Sequence, residues 1–172
     1  MPTKRKSTRR RRGAAGVLLS HLGRAGEARM VDVSVKAVTA REAVASAVVV
    51  MQAKVLAALW RGTLPKGDGL AVARVAGILA AKKTPEIIPL CHPLPIEFLQ
   101  VDFAKAGAGR LCVTCTARTS GKTGVEMEAM VGVAVAALTI YDMVKSADKS
   151  VAIGPVQLES KRGGKSGAYR RR

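Results

Sequence analysis

Residues 110–145, RLCVTCTARTSGKTGVEMEAMVGVAVAALTIYDMVK, change hydrophobic period part-way along. Over residues 110–116, Leu111, Val113 and Cys115 alternate with Cys112, Thr114 and Thr116, and a period of two predicts a strand. From Thr123 the pattern turns helical for about twenty residues. Thr123-Gly124-Val125-Glu126 has the spacing of a capping box, and Met127, Met130, Val131, Ala134, Leu138 and Tyr141 lay an apolar stripe along the helix that follows.

Upstream, residues 96–104 alternate imperfectly, and Ala106-Gly107-Ala108-Gly109 joins them to the first strand as a hairpin. Pro89, Pro93 and Pro95 hold residues 88–96 out of any regular helix. Residues 70–83 read as a helix with Asp68 as N-cap and Pro85 ending it, and the small residues Ala73, Gly77 and Ala80 predict close packing on one side. Before them stands the turn-rich Pro65-Lys66-Gly67-Asp68-Gly69. Residues 41–60 are apolar and helix-favouring, closed by Arg61-Gly62, and predict another helix. Residues 151–158 give a last strand. Strands and helices in this order imply an α+β fold, an antiparallel sheet with helices packed on one face.

The chain has 172 residues, 48% of them hydrophobic, which suits one domain with one core. The longest uncharged apolar stretch, residues 129–141, is too short to span a bilayer, so no membrane partner is expected. An odd cysteine count of 3 argues against a disulfide framework and for a reducing, cytoplasmic compartment. The charge of +17 is concentrated at the ends. Residues 1–12 hold 7 basic groups and residues 161–172 hold 6, while all 12 acids lie between, where 29 − 13 = 16 basic groups leave only +4. Solvated basic tails, without a basic aromatic face, predict no specific nucleic-acid partner. The expected division is a flexible basic extension over residues 1–19, a single folded domain over 20–160 and a Gly-rich basic tail over 161–172. The apolar run 14–19 is too short for a secretory core.

Gly164-Lys165-Ser166 and Gly121-Lys122-Thr123 end like phosphate-binding loops, but the leading glycine of that signature is replaced by Glu159 and Thr116. The second still lies between a strand and a helix start, where free N–H groups favour an anion. Cys112, Cys115, Cys91 and His92 suggest a zinc site on paper. Residues three apart on a strand point to opposite faces, however, so no metal is expected. Pro89-Leu90-Cys91-His92-Pro93 is stiff enough to present an imidazole and the N–H groups of Leu90, Cys91 and His92 to a ligand. Glu126 has a structural reading, as the acid of the capping box. Glu128 and Asp142 share a helix face fourteen residues apart, roughly 21 Å at 1.5 Å per residue, too far to grip one small substrate together. Asp142 and Lys145 have the spacing of a surface ion pair.

The strings MVDVS (30–34), PKGD (65–68), ARVAGILAAKKT (73–84), IPLCHPL (88–94), TGVEMEA (123–129), AALTIYDMVK (136–145) and GGKSG (163–167) together resemble the cyclic pyranopterin monophosphate synthase family, MoaC, of molybdenum-cofactor biosynthesis. Met130 stands where leucine is usual, and Ser146-Ala147 replaces a more usual Ala-Val. The resemblance implies a ferredoxin-like α+β fold and a homohexamer, a trimer of dimers with active sites shared at dimer interfaces. It implies conversion of 3′,8-cyclo-7,8-dihydro-GTP into cyclic pyranopterin monophosphate with release of pyrophosphate; no cofactor is expected. It places Lys66, Asp142 and Lys145 in the catalytic machinery. It places Leu90, Cys91, His92, Glu126, Met127 and Glu128 at the substrate; Lys161 and Lys165, in the Gly-rich tail, are expected to assist at the triphosphate.

Overall fold

The computed structural model describes residues 27–165 and 167–172. The expected extension over residues 1–19 lies outside them. Residues 32–172 make one compact unit, and residues 27–31 belong to a separate one. The elements of the compact unit are β1 (Thr39–Val50), α1 (Ala53–Trp60), α2 (Gly69–Lys82), α3 (Thr84–Ile87), β2 (Phe98–Lys105), β3 (Arg110–Gly121), α4 (Glu126–Val144), β4 (Ala152–Ile153), β5 (Gln157–Arg162) and β6 (Tyr169–Arg170). The sheet order is β2-β3-β1-β5-β6, with β4 paired to β1, and every pairing is antiparallel. With β1 and β3 central and helices connecting β1 to β2 and β3 to β5, this is the ferredoxin-like βαββαβ arrangement.

The hairpin forms where expected, with β3 extended to Gly121 and with Gly107 and Gly109 taking positive φ in the turn. Asp68 caps α2, its carboxylate accepting from the Ala71 N–H at 3.0 Å. The expected helix over residues 41–60 does not form as one element. Its first part is the central strand β1, and only Ala53–Trp60 is helical. Ala43, Ala45, Ala47 and Val49 are completely buried on alternate positions, flanked by β3 and β5. Alanine's helix preference yields to pairing on both edges and to the β-branched run Val48-Val49-Val50. Small side chains at the sheet centre also let α4 lie close above it.

α4 shows a second difference. The residues against the sheet and α2 are Ala129, Gly132, Val133, Ala136, Ala137, Ile140 and Val144, whereas Met127, Leu138 and Tyr141 of the expected apolar stripe are exposed. The helix is apolar almost all round, so hydrophobicity does not choose its inner face; size does. Gly77 on α2 and Gly132 on α4 meet where a Cβ on Gly77 would stand 2.8 Å from the Gly132 carbonyl oxygen. The small-residue stripe on α2 is Ala73, Gly77 and Ala81, with Ala81 in place of Ala80. By length and composition α4 matches a membrane span, yet half of it is buried in this unit, as expected for a core helix. Gly77→Ala is expected to lower stability by about 1–3 kcal/mol despite alanine's better helix propensity, because backbone must move to admit the methyl group. Denaturant unfolding of the variant measures this, and an unchanged midpoint would rule out the close approach.

The last strand is split. Gly154-Pro155 separates β4 from β5, and proline offers no ladder donor there. β5 then continues through Arg162, with Glu159 as a bulge between the Val44 and Ala45 pairings, and β6 folds back on it. Residues 161 and 162, expected in a trailing tail, are therefore part of the sheet.

Candidate functional site

The turn between α1 and α2 throws Lys66 outward: Leu64 on one side is buried, Asp68 on the other is committed to the α2 cap, and Gly67 supplies a φ of 88°. Lys66 Nζ donates to Asp142 Oδ2 at 2.9 Å and to the Asp142 carbonyl oxygen at 3.0 Å. Lys145 Nζ lies 2.6 Å from Asp142 Oδ1. One carboxylate at the C-terminal end of α4 thus holds two ammonium groups. Hydrogen bonds from Lys145 and then Lys66 pull the Asp142 pKa down to about 2, and the same bond pushes Lys145 above its ordinary value. All three side chains are about half exposed, so solvent screens the charges.

The N-terminal end of α4 is built differently. The expected capping box is absent: the helix starts at Glu126, Val125 occupies the N-cap and no side chain caps it. Glu126 instead folds back over Gly124, into the space a Cβ would fill there, and accepts from Lys161 Nζ at 2.8 Å. Lys161 pairs with Ala43 on the helix side of the sheet, which aims its ammonium under the helix start. Around this pair lies a cavity of about 660 Å³. Its walls carry Lys36, Arg41, Lys122, Lys161, Arg162 and Lys165 against the two carboxylates Glu42 and Glu126. Glu42 is already taken by Arg118 and Arg162, and the Arg118 hydrogen bond first of all holds its pKa low. The surplus positive charge, the uncapped helix start and the Gly-rich walls suit a polyanion such as a phosphate chain.

The proline-rich segment contributes Leu90, Cys91 and His92, half-exposed or half-buried, after the short α3. The Cys91 N–H is not free for a ligand: it closes a turn onto the Ile88 carbonyl at 3.0 Å, with Pro89 in the turn. The Glu128 charge bears on Cys91. Burial first, and the Glu128 charge second, push the thiol pKa up. Glu128 is 3% exposed, and burial first, with Glu126 adding repulsion, raises its carboxyl pKa. Met127 remains exposed. A carboxyl whose native pKa is raised weakens the fold as pH climbs above its unfolded value, and that penalty disappears at lower pH. Glu128→Gln is therefore expected to raise the melting temperature at neutral pH by on the order of a few °C while lowering activity. Equal melting curves at pH 7 for the two proteins would show that the buried carboxyl carries no such penalty.

Within one chain the structure brings the expected residues into two groups. Lys66, Asp142 and Lys145 meet at one end of α4; Glu126, Lys161 and Lys165 meet at the other, with Glu128 and Cys91 nearby. The ends are separated by the roughly 21 Å that fourteen helical residues span. Cys112 and Cys115 do take opposite faces of β3, Cys115 buried in the core and Cys112 half-buried on the far side. Lys36, Arg41 and Arg162 line the cavity without having been expected there. Lys122 was signalled by the Gly-Lys-Thr turn before a helix; Arg41 gave no signal once its segment read as helix.

A profile of the MoaC family matches residues 30–164. A protein of Brevibacillus brevis named cyclic pyranopterin monophosphate synthase is 54% identical over 153 residues, covering 89% of this chain and 96% of the relative. One of the same name from Chloroflexus aurantiacus is 57% identical over 154 residues, covering 89% and 94%. Cyclic pyranopterin monophosphate synthase 3 of Mycobacterium bovis is 53% identical over 154 residues, covering 90% and 87%. All of the structural groups just described, from Lys66 to the cavity, fall inside the matched region except Lys165, one residue beyond it. The chain belongs to the MoaC family.

Proposed function

We propose that this chain is a cyclic pyranopterin monophosphate synthase, converting 3′,8-cyclo-7,8-dihydro-GTP into cyclic pyranopterin monophosphate and pyrophosphate in molybdenum-cofactor biosynthesis. The observation that carries the reading is the division of labour along α4: an ammonium–carboxylate–ammonium cluster at one end and a polycationic cavity at the other. The reaction has two demands. Rebuilding the purine-derived rings into a pterin needs repeated proton transfers. Closing the cyclic phosphate needs a sugar hydroxyl to attack the α-phosphorus as pyrophosphate leaves. Lys66 and Lys145 act as acid/base groups, with Asp142 orienting Lys145. The cavity lysines, Lys161 and Lys165, hold the triphosphate as point charges. His92, Glu126 and Glu128 face the ring system, with Leu90, Cys91 and Met127 shaping that end. The net change is rearrangement and loss of pyrophosphate, so the reading calls for no redox cofactor.

A site with its two halves at opposite ends of one helix is completed by a second copy. The outward face of α4 supports this: Met127, Leu138 and Tyr141 are exposed along it, with Ala134 between them. Two copies of α4 crossing antiparallel at Ala134 set the acidic Glu126/Glu128 end of each against the Lys145 end of the other, a self-complementary contact of the kind two-fold dimers use. The homohexamer, a trimer of such dimers, and a cytoplasmic location complete the reading. Incubation with the cyclised GTP intermediate, following pterin fluorescence and pyrophosphate, tests it. Pyrophosphate release with pterin formation is the expected result, and no turnover of that substrate by the assembled protein refutes it.

A further inference from the structure

Arg41 sits two residues before Ala43 on β1, so its side chain leaves the sheet on the helix side, at the end of the sheet where α4 begins. Its guanidinium crosses over the central strand from one neighbour to the other. Nε donates to the Gly121 carbonyl at the end of β3, at 3.4 Å, and Nη1 donates to the Gly163 carbonyl just past β5, at 3.1 Å. These two carbonyls begin the two turns that wall the cavity, one carrying Lys122 and the other Lys165. A second feature is independent of the hydrogen bonds. Gly163 and Gly164 take φ of 100° and 74°, and a Cβ on Gly164 would occupy the place of Arg41 Nη1. A Cβ on Gly163 would collide with the Ala40 carbonyl oxygen. Gly164 is thus a seat for the guanidinium, and Gly163 beside it allows the close approach to Ala40.

We infer that Arg41 is a positioning residue that ties the turn after β3 to the turn after β5 and so holds Lys122 and Lys165 in register across one anion. This rests on the reading that the cavity takes the triphosphate. The chemistry requires arginine rather than any cation. A planar guanidinium has several donors in a fixed fork, enough to span two carbonyls on different strands, whereas an ammonium is a point donor. Without the tie the turns separate, and the cationic groups they carry lose their common target.

Three variants test the role: Arg41→Lys, which keeps the charge; Gly164→Ala, which removes no charge and fills the seat; and Gly107→Ala, a positive-φ glycine at the far end of β3, as a control for backbone strain. Amide hydrogen exchange, pyrophosphate binding by calorimetry and steady-state kinetics are measured on the assembled enzyme. Arg41→Lys and Gly164→Ala are each expected to speed exchange in residues 121–124 and 163–165. Each is also expected to raise KM and the pyrophosphate Kd by on the order of 10-fold, with kcat much less affected. The double variant should be little worse than either single one, because both break the same contact. Gly107→Ala should leave KM and Kd at wild-type values. Unchanged exchange in Arg41→Lys overturns the inference, and so does faster exchange with a wild-type KM. If Lys161→Ala still raises KM in that second case, the reading of the cavity stands and only the tie is lost. Wild-type KM in both Arg41→Lys and Lys161→Ala overturns the reading of the cavity as well.

Discussion

Lys66→Ala is expected to lower turnover by on the order of 10²–10⁴-fold while leaving the melting temperature and oligomeric state close to wild type. The two halves of this expectation have separate physical sources. Lys66 is an exposed turn residue that donates to the side chain and the carbonyl of Asp142. Exposed ion pairs contribute little to stability, and Lys145 remains to hold the carboxylate. Chemistry is another matter, since Lys66 is flanked by Pro65 and Gly67, which cannot move a proton, and the nearest titratable neighbour, Asp68, is committed to the α2 cap. A folded variant with near-normal turnover would remove Lys66 from the mechanism. The partner measurement is the pH profile of Asp142→Asn. The carboxylate raises the Lys145 pKa, so its neutralisation lets that pKa fall, and the alkaline limb of activity should move to lower pH. In the wild type, the depressed Asp142 keeps the pair intact at any pH well above about 2. A change on the acid limb near neutrality is accordingly not expected to come from Asp142.

Much of this fold can be read from local chemistry. The β2–β3 hairpin follows from a period of two interrupted by Ala106-Gly107-Ala108-Gly109, and α2 follows from Asp68 and its run of good helix formers. Both signals are contained in a few consecutive residues. What could not be read depends on partners far away in sequence. Residues 41–50 are a strand because β3 and β5 pair with them, and an alanine-rich segment carries no local trace of such neighbours. The inner face of α4 is chosen by the fit of Gly132 against Gly77 and the Cys115 sulfur, not by hydrophobicity, which is nearly uniform around the helix. The same distinction applies to the candidate site. The grouping of Asp142 with Lys145 is a matter of helical spacing and was legible, and the hazard of a second, distant group was legible from helix rise alone. The pairing of Glu126 with Lys161 and the Arg41 bridge to Gly163 join residues 35 and 122 positions apart, and only the sheet creates them.

The largest gain is expected from mixing two inactive proteins. Lys145→Ala removes one ammonium of the C-terminal cluster, and Glu128→Ala removes the buried carboxyl near the other end of α4. If each site takes its two halves from different subunits, every homodimer of either variant holds two sites with one defect each, and both proteins are inactive. In a mixed dimer the defects redistribute: one site receives both, and the other receives neither. Random reassembly at equal amounts makes about half of the dimers mixed, each with one intact site of two. About a quarter of wild-type activity should therefore return, against a background lower by orders of magnitude. The arithmetic discriminates sharply, because a site built within one chain predicts no recovery at any mixing ratio. It also discriminates between ways of sharing. Recovery requires Lys145 and Glu128 to act in the same site from different chains, whereas a pair such as Lys145→Ala with Lys66→Ala should not complement, since both groups hold the same Asp142 carboxylate. Mixed oligomers must be shown to form, by mass spectrometry of the reassembled protein. With mixed oligomers present and activity still at background, the antiparallel crossing of α4 over Ala134 is wrong, and each chain must close the gap of roughly 21 Å by some rearrangement of its own.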